Sequence, residues 1–367
     1  MNQRRTLVAL GVVFVLSAAL AAQNKDDKKK SEMERREVLA SDKILEDAAA
    51  GKAAANDGAI VWLRDDVLKA TDKKQFVPFT VTVDPSKLSG GTIAFYYRLV
   101  RKDSGAATAP AGQKKDDQKK DEKPDNKKRP DYPWEDVSLV QLSGTGPQRV
   151  SRSFAVGAGS YDVYLVAKDQ TPEKPPKNAP PLKAEVMTHS ITIPELWNDE
   201  LNTSSVIMAE RIDPPAAPLT PEQIKTRPYA AMGAMEIIPM FGELKYSKKS
   251  ELSLLMLIYN AKPDQTGKPN LTVEFNFCQI DPAATEPKPG EPCKTGEKFF
   301  NKTAPENFNA QTLPAQWDAS AGHQIQAGQA VSLATFPEGK YRLEIKVTDK
   351  LGNKSLTRDV NFTVSAS

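Results

Sequence analysis

Two stretches of this chain point most directly to its fold: residues 159–169 read GSYDVYLVAKD and residues 339–349 read GKYRLEIKVTD. Both begin with Gly, carry Tyr at the third position and end with Asp, at positions that differ by 180. From the Tyr to the ninth position, every second residue is apolar in both stretches. This two-residue period is typical of a strand with one buried face. The pattern therefore predicts two equivalent strands, each facing a hydrophobic core.

The surrounding sequence extends this repeat. The same offset of 180 aligns a second apolar series, in which Ile93, Phe95 and Tyr97 match Val273, Phe275 and Phe277. Runs of β-branched and aromatic residues between turn signals predict strands at 76–83, 92–100, 137–142, 149–156, 161–167 and 187–193. A length of 367 residues is typical of about two domains. We therefore expect an all-β protein of two tandem antiparallel β-sandwiches, each a copy of one domain.

The Gly-x-Tyr openings resemble strand F of immunoglobulin-like (Ig-like) and fibronectin-type sandwiches, where a Tyr stands two residues before a core Cys. Val163 and Leu343 occupy the Cys position, so neither copy has that inter-sheet disulfide. Residues 336–353 (FPEGKYRLEIKVTDKLGN) also resemble the Ig-like repeats of bacterial secreted and cell-surface proteins. The resemblance implies a binding or spacing role and supplies no catalytic residue. We expect Tyr161 and Tyr341 to be buried at equivalent positions, with their hydroxyls bonded to the backbone.

The N-terminal sequence is typical of an export signal. Arg4 and Arg5 precede the apolar run at residues 7–16 (LVALGVVFVL), and Ala19-Leu20-Ala21 is a cleavage-site pattern. We expect residues 1–22 to be a signal peptide, with an uncleaved anchor as the alternative. Cleavage would give a protein of the periplasm, the cell surface or the extracellular space that is not an integral membrane protein.

Composition sets the remaining boundaries. Residues 23–58 are charged and Ala-rich with a thin apolar face, so we interpret them as a partly helical tether. The first Ig-like sandwich is placed at 59–195, with a charged insertion at 103–130 that we expect to be disordered. A Pro-rich linker at 196–228 precedes the second sandwich at 229–367. Within the linker, Thr220-Pro221-Glu222-Gln223 predicts a capping box that begins a turn of helix.

Cys278 and Cys293 are the two cysteines of the chain. They flank a Pro-rich loop, and an even number of cysteines in an exported chain favours a disulfide between them. Free thiols and a metal site are the alternatives, although a metal site needs more ligands than two thiols.

The sequence lacks the common catalytic motifs, including G-x-S-x-G, H-E-x-x-H and the phosphate-binding loop. We therefore predict no enzymatic activity, no cofactor and no metal site. A net charge of +3 does not imply a nucleic-acid partner.

Three side chains are candidates for ligand contact. Tyr132 and Trp134 could stack on a sugar, with packing in the protein as the alternative. At an offset of 169, His189 matches Arg358, which places it at a half-exposed strand end. Its alternative is likewise a structural role.

Together these features predict an exported, non-catalytic interaction or spacer protein of the periplasm or cell envelope. Its partner would be an unidentified protein or a cell-envelope glycan. Two alternatives remain open. One is a carbohydrate- or peptide-binding module, and the other is a hydrolase whose carboxylates come together from separate strands.

Overall fold

The computed structural model describes residues 25–52, 58–89, 91–102, 130–174, 181–214, 219–231, 235–284, 286, 290–319 and 322–366. The expected signal peptide (1–22) and residues 103–129 of the expected insertion lie outside these ranges. The described chain is mostly β-strand. We call α1 to β8 the first half and β9 to β19 the second half.

The first half contains α1 (Lys25–Ala49), β1 (Ile60–Asp65), β2 (Leu68–Lys69), β3 (Gln75–Val83), β4 (Thr92–Arg101), β5 (Trp134–Gln141), β6 (Gln148–Val156), β7 (Gly159–Asp169) and β8 (Ala184–Ile193). The second half contains β9 (Asn202–Thr203), β10 (Ile207–Asp213), α2 (Pro221–Thr226), β11 (Glu236–Pro239), β12 (Lys245–Ser247), β13 (Glu251–Tyr259), β14 (Leu271–Ile280), β15 (Glu297–Lys302), β16 (Glu306–Phe308), β17 (Ile325–Ser332), β18 (Gly339–Asp349) and β19 (Lys354–Ser365). All six strands predicted for the first half are present.

Each half is built from two sheets with a hydrophobic core between them. In the first half, sheet A joins β1, β3 and β6, with β2 beside β3, and sheet B has the order β5-β4-β7-β8. In the second half, sheet C has the order β11-β10-β13-β17, and sheet D has the order β12-β19-β18-β14-β15. Alternate residues of the strands point into each core because strand side chains alternate between faces. Phe79, Phe95 and Leu165 lie in the first core, and Phe275, Phe336 and Ile345 lie in the second.

Apart from the short strand β12, which joins sheet D ahead of β13, the two halves pass between their sheets in the same order. In the first half β1 and β3 lie in sheet A, β4 and β5 in sheet B, β6 in sheet A, and β7 and β8 in sheet B. In the second half β10 and β13 lie in sheet C, β14 and β15 in sheet D, β17 in sheet C, and β18 and β19 in sheet D. The sequence repeat therefore corresponds to a repeat of strand order.

The two repeated tyrosines have the predicted environment. Both are buried, and the hydroxyl of Tyr161 donates to the carbonyl of Gly157 at 2.9 Å while that of Tyr341 donates to the carbonyl of Pro337 at 2.7 Å. Gly159 and Gly339, which open the two strands, have φ of 146° and 147°. Side-chain-bearing residues rarely adopt this backbone conformation, which accounts for Gly at both positions.

The alignment of the neighbouring strands differs from the prediction by two residues. Tyr97 pairs with Leu165, and its counterpart opposite Ile345 is Phe275, so β4 and β14 correspond at an offset of 178 instead of 180. Similarly, His189 pairs with Val163 and corresponds to Val360, not to Arg358. A shift of two residues keeps every side chain on its predicted face, so the apolar alternation cannot detect it.

The tether interpretation is wrong for residues 25–49, which form α1 on the outer face of sheet B. Leu45 of the helix is buried against Tyr96 and Val166. The carboxylate of Glu37 pairs with the ammonium of Lys168, and both side chains are fully buried. The thin apolar face of this segment is therefore supplemented by an ion pair whose second member lies 131 residues further along the chain.

The linker interpretation is also wrong for part of 196–228. β9 and β10 belong to sheet C, where both pair with β13. The predicted capping box is confirmed at α2, where the Thr220 hydroxyl accepts from the Gln223 amide and the Gln223 side chain accepts from the Thr220 amide. The Pro cluster thus lies within the second half instead of separating the halves. Among the described residues, no helix combines the length and apolar content needed to cross a bilayer.

Candidate interaction site at the junction of the two halves

The end of β1 and the segment through β2 contact the second half at five residues, Arg64 and residues 66–69. The Asp66 carboxylate accepts two hydrogen bonds from the Arg64 guanidinium, at 2.6 and 2.7 Å, and a third from the Tyr229 hydroxyl at 2.7 Å. Arg64 also donates to the carbonyls of Val206 and Met240, both at 3.2 Å. One charged pair of the first half is therefore bonded to three separate segments of the second half.

The buried position of this cluster controls its protonation. Burial raises the pKa of Asp66, and the bonds from Arg64 and Tyr229 oppose that shift. Burial, together with the neighbouring Asp66 carboxylate, raises the pKa of Tyr229. The Asp66 side chain is only 3% exposed, and its oxygens accept from Arg64 and Tyr229. This arrangement suits a structural connection better than a catalytic carboxylate, because substrate has no access to it.

Backbone groups reinforce the junction on either side of Leu68. The amide of Val67 donates to the Ser205 hydroxyl at 2.9 Å, and the amide of Ser205 donates to the carbonyl of Val67 at 3.0 Å. The amide of Lys69 donates to the Tyr259 hydroxyl at 3.1 Å. Groups that would otherwise be left unsatisfied on burial are therefore paired across the junction.

An apolar cluster fills the space behind these polar contacts. Leu68 of the first half is buried among residues of the second half: Ile207, Ala209, Tyr229, Ile237, Leu255, Leu257 and Tyr259. Burial of a Leu side chain stabilises by about 1.5–3 kcal/mol. Domains connected by small polar contacts usually move relative to one another, whereas a large apolar interface restricts that motion. The junction has both apolar burial and directional bonds.

One exposed aromatic residue lies at the rim of the junction. Trp197 is 38% exposed, and its indole N–H donates to the carbonyl of Lys74 at 2.8 Å. The Lys69 ammonium lies 4.3 Å from the centre of its ring and donates to the Asn260 side chain at 2.8 Å. Trp197 is not among the predicted contact residues, since no local sequence pattern distinguishes an exposed Trp from a packed one.

The predicted contact residues have other environments. The Tyr132 hydroxyl accepts from Arg98, whose guanidinium lies 4.5 Å over the Tyr132 ring. Trp134 packs against the first core from β5. The His189 ring stacks on Trp62 at 4.1 Å, and burial lowers the pKa of this His. β5 and β8 are opposite edges of sheet B, so the structure does not bring Trp134 and His189 together.

The disulfide between Cys278 and Cys293 is confirmed. Glu297 lies beside it, and these three residues form the one group of potential metal ligands found among the described residues. The two sulfurs are bonded to each other and are not thiolates, so they do not provide the ligands that a zinc site requires.

Comparison with known proteins gives no family. No protein-family profile matches the chain, and no curated protein matches its sequence. Among solved structures, the alpha-2-macroglobulin of Escherichia coli activated by porcine elastase is similar at 10% identity and a TM-score of 0.23, over 84% of this chain and 24% of that one. The Salmonella alpha-2-macroglobulin reacted with methylamine is 12% identical, with a TM-score of 0.20, over 86% and 17% of the two chains. Red sea bream transglutaminase is 8% identical, with a TM-score of 0.17, over 88% and 33%. The chain spans a third or less of each of these proteins, and likeness at this level assigns neither a fold family nor a function.

Proposed function

We propose that this chain is an exported, non-catalytic interaction or spacer protein of the periplasm or cell envelope, built from two Ig-like domains. The observation that carries the proposal is the junction, where Asp66 and Leu68 of one half are buried against the other and Arg64 donates to two of its carbonyls. A protein that holds two partners at a fixed separation needs such a connection between its domains.

The Ig-like assignment draws support from the strand order shared by the two halves and from their two buried tyrosines. In Ig-like sandwiches a Tyr near the start of strand F donates its hydroxyl to the backbone a few residues upstream. Tyr161 and Tyr341 make this contact four residues upstream. Export is supported by the N-terminal sequence pattern and by the Cys278–Cys293 disulfide, a bond that persists in oxidising compartments.

The non-catalytic assignment draws on two carboxyl groups among the described residues, Asp66 and Glu306, whose pKa is raised by desolvation. Asp66 is enclosed by Arg64 and Tyr229. Burial raises the pKa of Glu306 to about 7, and its carboxylate accepts from the Gly328 amide and the Gln329 side chain. Each carboxyl group accepts from its own set of protein donors and the two share none, which favours a structural role for both.

Distance measurements between the halves test the proposed rigid connection. Spin labels on Thr145→Cys and Ser355→Cys, both exposed, should give one narrow distance distribution. Asp66→Ala should broaden it, because Arg64 and Tyr229 lose their shared partner. Asp131→Ala, an exposed acid away from the junction, is the matched control and should leave it unchanged. A broad distribution in the otherwise unaltered protein contradicts the proposal.

The second candidate, a carbohydrate-binding module, is favoured by Trp197. The Lys69 ammonium lies over one face of its indole, and the indole N–H donates to the Lys74 carbonyl. These contacts fix the ring, so its exposed part is a surface on which a sugar could stack. Titration with solubilised cell-wall glycans should then produce binding heat that Trp197→Ala abolishes. Trp134→Phe is the control, since that ring packs against the first core. Equal binding by the Trp197→Ala variant excludes this candidate.

A further inference from the structure

β5 is an edge strand whose described residues lack Lys, Pro and bulges, three of the devices that commonly prevent pairing with an added strand. It pairs only with β4 in the described sheet, in one uninterrupted register, and none of its eight residues is buried. Its counterpart in the second half, β15, contains Lys298 and Lys302 and has an irregular register with β14. Lysines and bulges of this kind are common devices that prevent pairing at sheet edges. β5 contains no Lys, Arg or Pro.

A groove runs between this strand and α1. It has a volume of about 360 Å³ and is lined by Ser31, Glu34, Arg35 and Val38 of the helix and by Glu135, Asp136 and Val137 of the strand. On the outer face this lining has the carboxylates of Glu34 and Glu135 and the guanidinium of Arg35, which leaves one net negative charge at neutral pH. The Asp136 side chain lies on the opposite face of β5, where the Tyr97 hydroxyl donates to it. Val38 and Val137 supply its apolar surface, and Leu139, which is 37% exposed, continues that surface along β5.

Side chains on one face of β5 set the pattern that a partner strand must match. Glu135, Val137 and Leu139 share the outer face because strand residues two apart point the same way. A strand added beside β5 would place every second side chain on that face. Its basic side chains would lie near Glu34 and Glu135, and its apolar ones near Leu139.

We propose that the groove between α1 and β5 binds an extended basic peptide segment of a partner protein, which adds to sheet B as a further strand. Main-chain hydrogen bonds to the edge provide affinity in such complexes, and alternate side chains provide specificity. The inference rests on the proposed interaction function and names the partner class and the surface. It does not depend on the junction, so the distance measurements and the peptide experiment can fail separately.

The probe is a fluorescein-labelled, end-capped ten-residue peptide that alternates Thr with Lys, Lys, Val, Val and Val in that order. Its binding to the full chain is followed by fluorescence anisotropy, and hydrogen exchange is measured with and without saturating peptide. We expect saturable binding and slower amide exchange within residues 134–141. The same peptide with Glu in place of both Lys residues should not bind.

Charge reversal on α1 identifies the surface. Glu34→Lys should weaken peptide affinity about fivefold, since a partly exposed attraction is replaced by a repulsion. Glu32→Lys makes the same charge change at an exposed position outside the groove lining and should change affinity less than about twofold. Unchanged exchange protection of residues 30–49 in both variants shows that α1 remains docked.

Three outcomes overturn the proposal. The first is absence of binding, or binding without added protection at β5. The second is equal weakening by Glu32→Lys and Glu34→Lys, which indicates unspecific attraction to the net charge. The third is a concentration-dependent dimer that protects β5 without peptide, which makes a second copy of the chain the occupant.

Discussion

Replacing Glu37 by Leu tests whether the buried ion pair holds α1 on sheet B. The Glu37 carboxylate accepts from the Lys168 ammonium and from the amide and hydroxyl of Thr171. Glu37→Leu leaves the Lys168 ammonium buried with Thr171 and the Asp169 carbonyl as its described partners. Burial already lowers the pKa of Lys168, and Glu37 is the largest opposing influence. The substitution therefore removes the group that most favours the charged lysine.

The size of the effect determines how the protein responds. Removing one member of a buried pair costs about 3–5 kcal/mol. Leu45 is the one fully buried apolar residue among the described side chains of α1, with Val38 and Ile44 packed beside it. At about 1.5–3 kcal/mol for a fully buried side chain, apolar docking of the helix is worth roughly 4 kcal/mol. Because the two quantities are similar, we expect α1 to detach in Glu37→Leu while both cores stay folded.

Hydrogen exchange and limited trypsin digestion measure this response. In Glu37→Leu, residues 30–49 should exchange faster and trypsin should cleave at Arg35, Arg36 and Lys43, with protection of β3 to β8 retained. Glu46→Leu is the matched control, because Glu46 is an exposed residue of the same helix. In the double variant Glu37→Leu/Lys168→Met no unpaired charge remains, so α1 should dock again. Unchanged protection in the single variant, or equal loss in the single and double variants, refutes the reasoning.

Three further predictions concern the second half and its equivalence with the first. Glu306 has a pKa of about 7 in the folded protein against its ordinary 4.5, so the folded state binds its proton more tightly. The contribution of this group to the free energy of unfolding should be fully present below about pH 4.5. It should be lost as the pH rises through about 7, by at most about 3 kcal/mol. Glu306→Gln should remove this pH dependence in urea titrations at pH 4.5 and 8. Tyr161→Phe and Tyr341→Phe should each cost about 1 kcal/mol in urea unfolding; a loss at only one position contradicts their equivalence. Cys278→Ser/Cys293→Ser should lower stability by at most about 3 kcal/mol in calorimetry while the protein still folds, and thiols that react without reduction in the unaltered protein would contradict the bond.

Local sequence patterns were sufficient to predict those strands whose own residues alternate between apolar and polar. β3 to β8 follow runs of β-branched and aromatic residues, and Tyr161 and Tyr341 were identified by a Gly two residues earlier. The same patterns could not fix the correspondence of β4 with β14, because only the facing strand distinguishes Phe275 from Phe277 as the partner of Ile345. The apolar alternation shows which face of the sheet a residue occupies, but it does not determine the register between two strands.

The parts that sequence reasoning missed are stabilised by distant residues. α1 has a thin apolar face and is held by Lys168, far along the chain. β10 lies next to a Pro cluster and was assigned to a linker, although pairing with β11 and β13 makes it a strand of sheet C. Trp197 could not be distinguished from Trp134, because exposure depends on the assembled junction and not on neighbouring residues.

The equivalent sheets B and D are covered on their outer faces by unlike segments. Sheet B carries α1, whereas the loop after β14 is joined to sheet D by the Cys278–Cys293 bond and by Arg342, which donates to Glu297, Asp359 and the Pro292 carbonyl. Cys278 and Arg342 are consequently almost inaccessible. Since these parts of both outer faces are occupied, partners are more readily accommodated at strand edges and at the junction rim. Both surfaces proposed for binding, the groove beside β5 and the rim at Trp197, are of this kind.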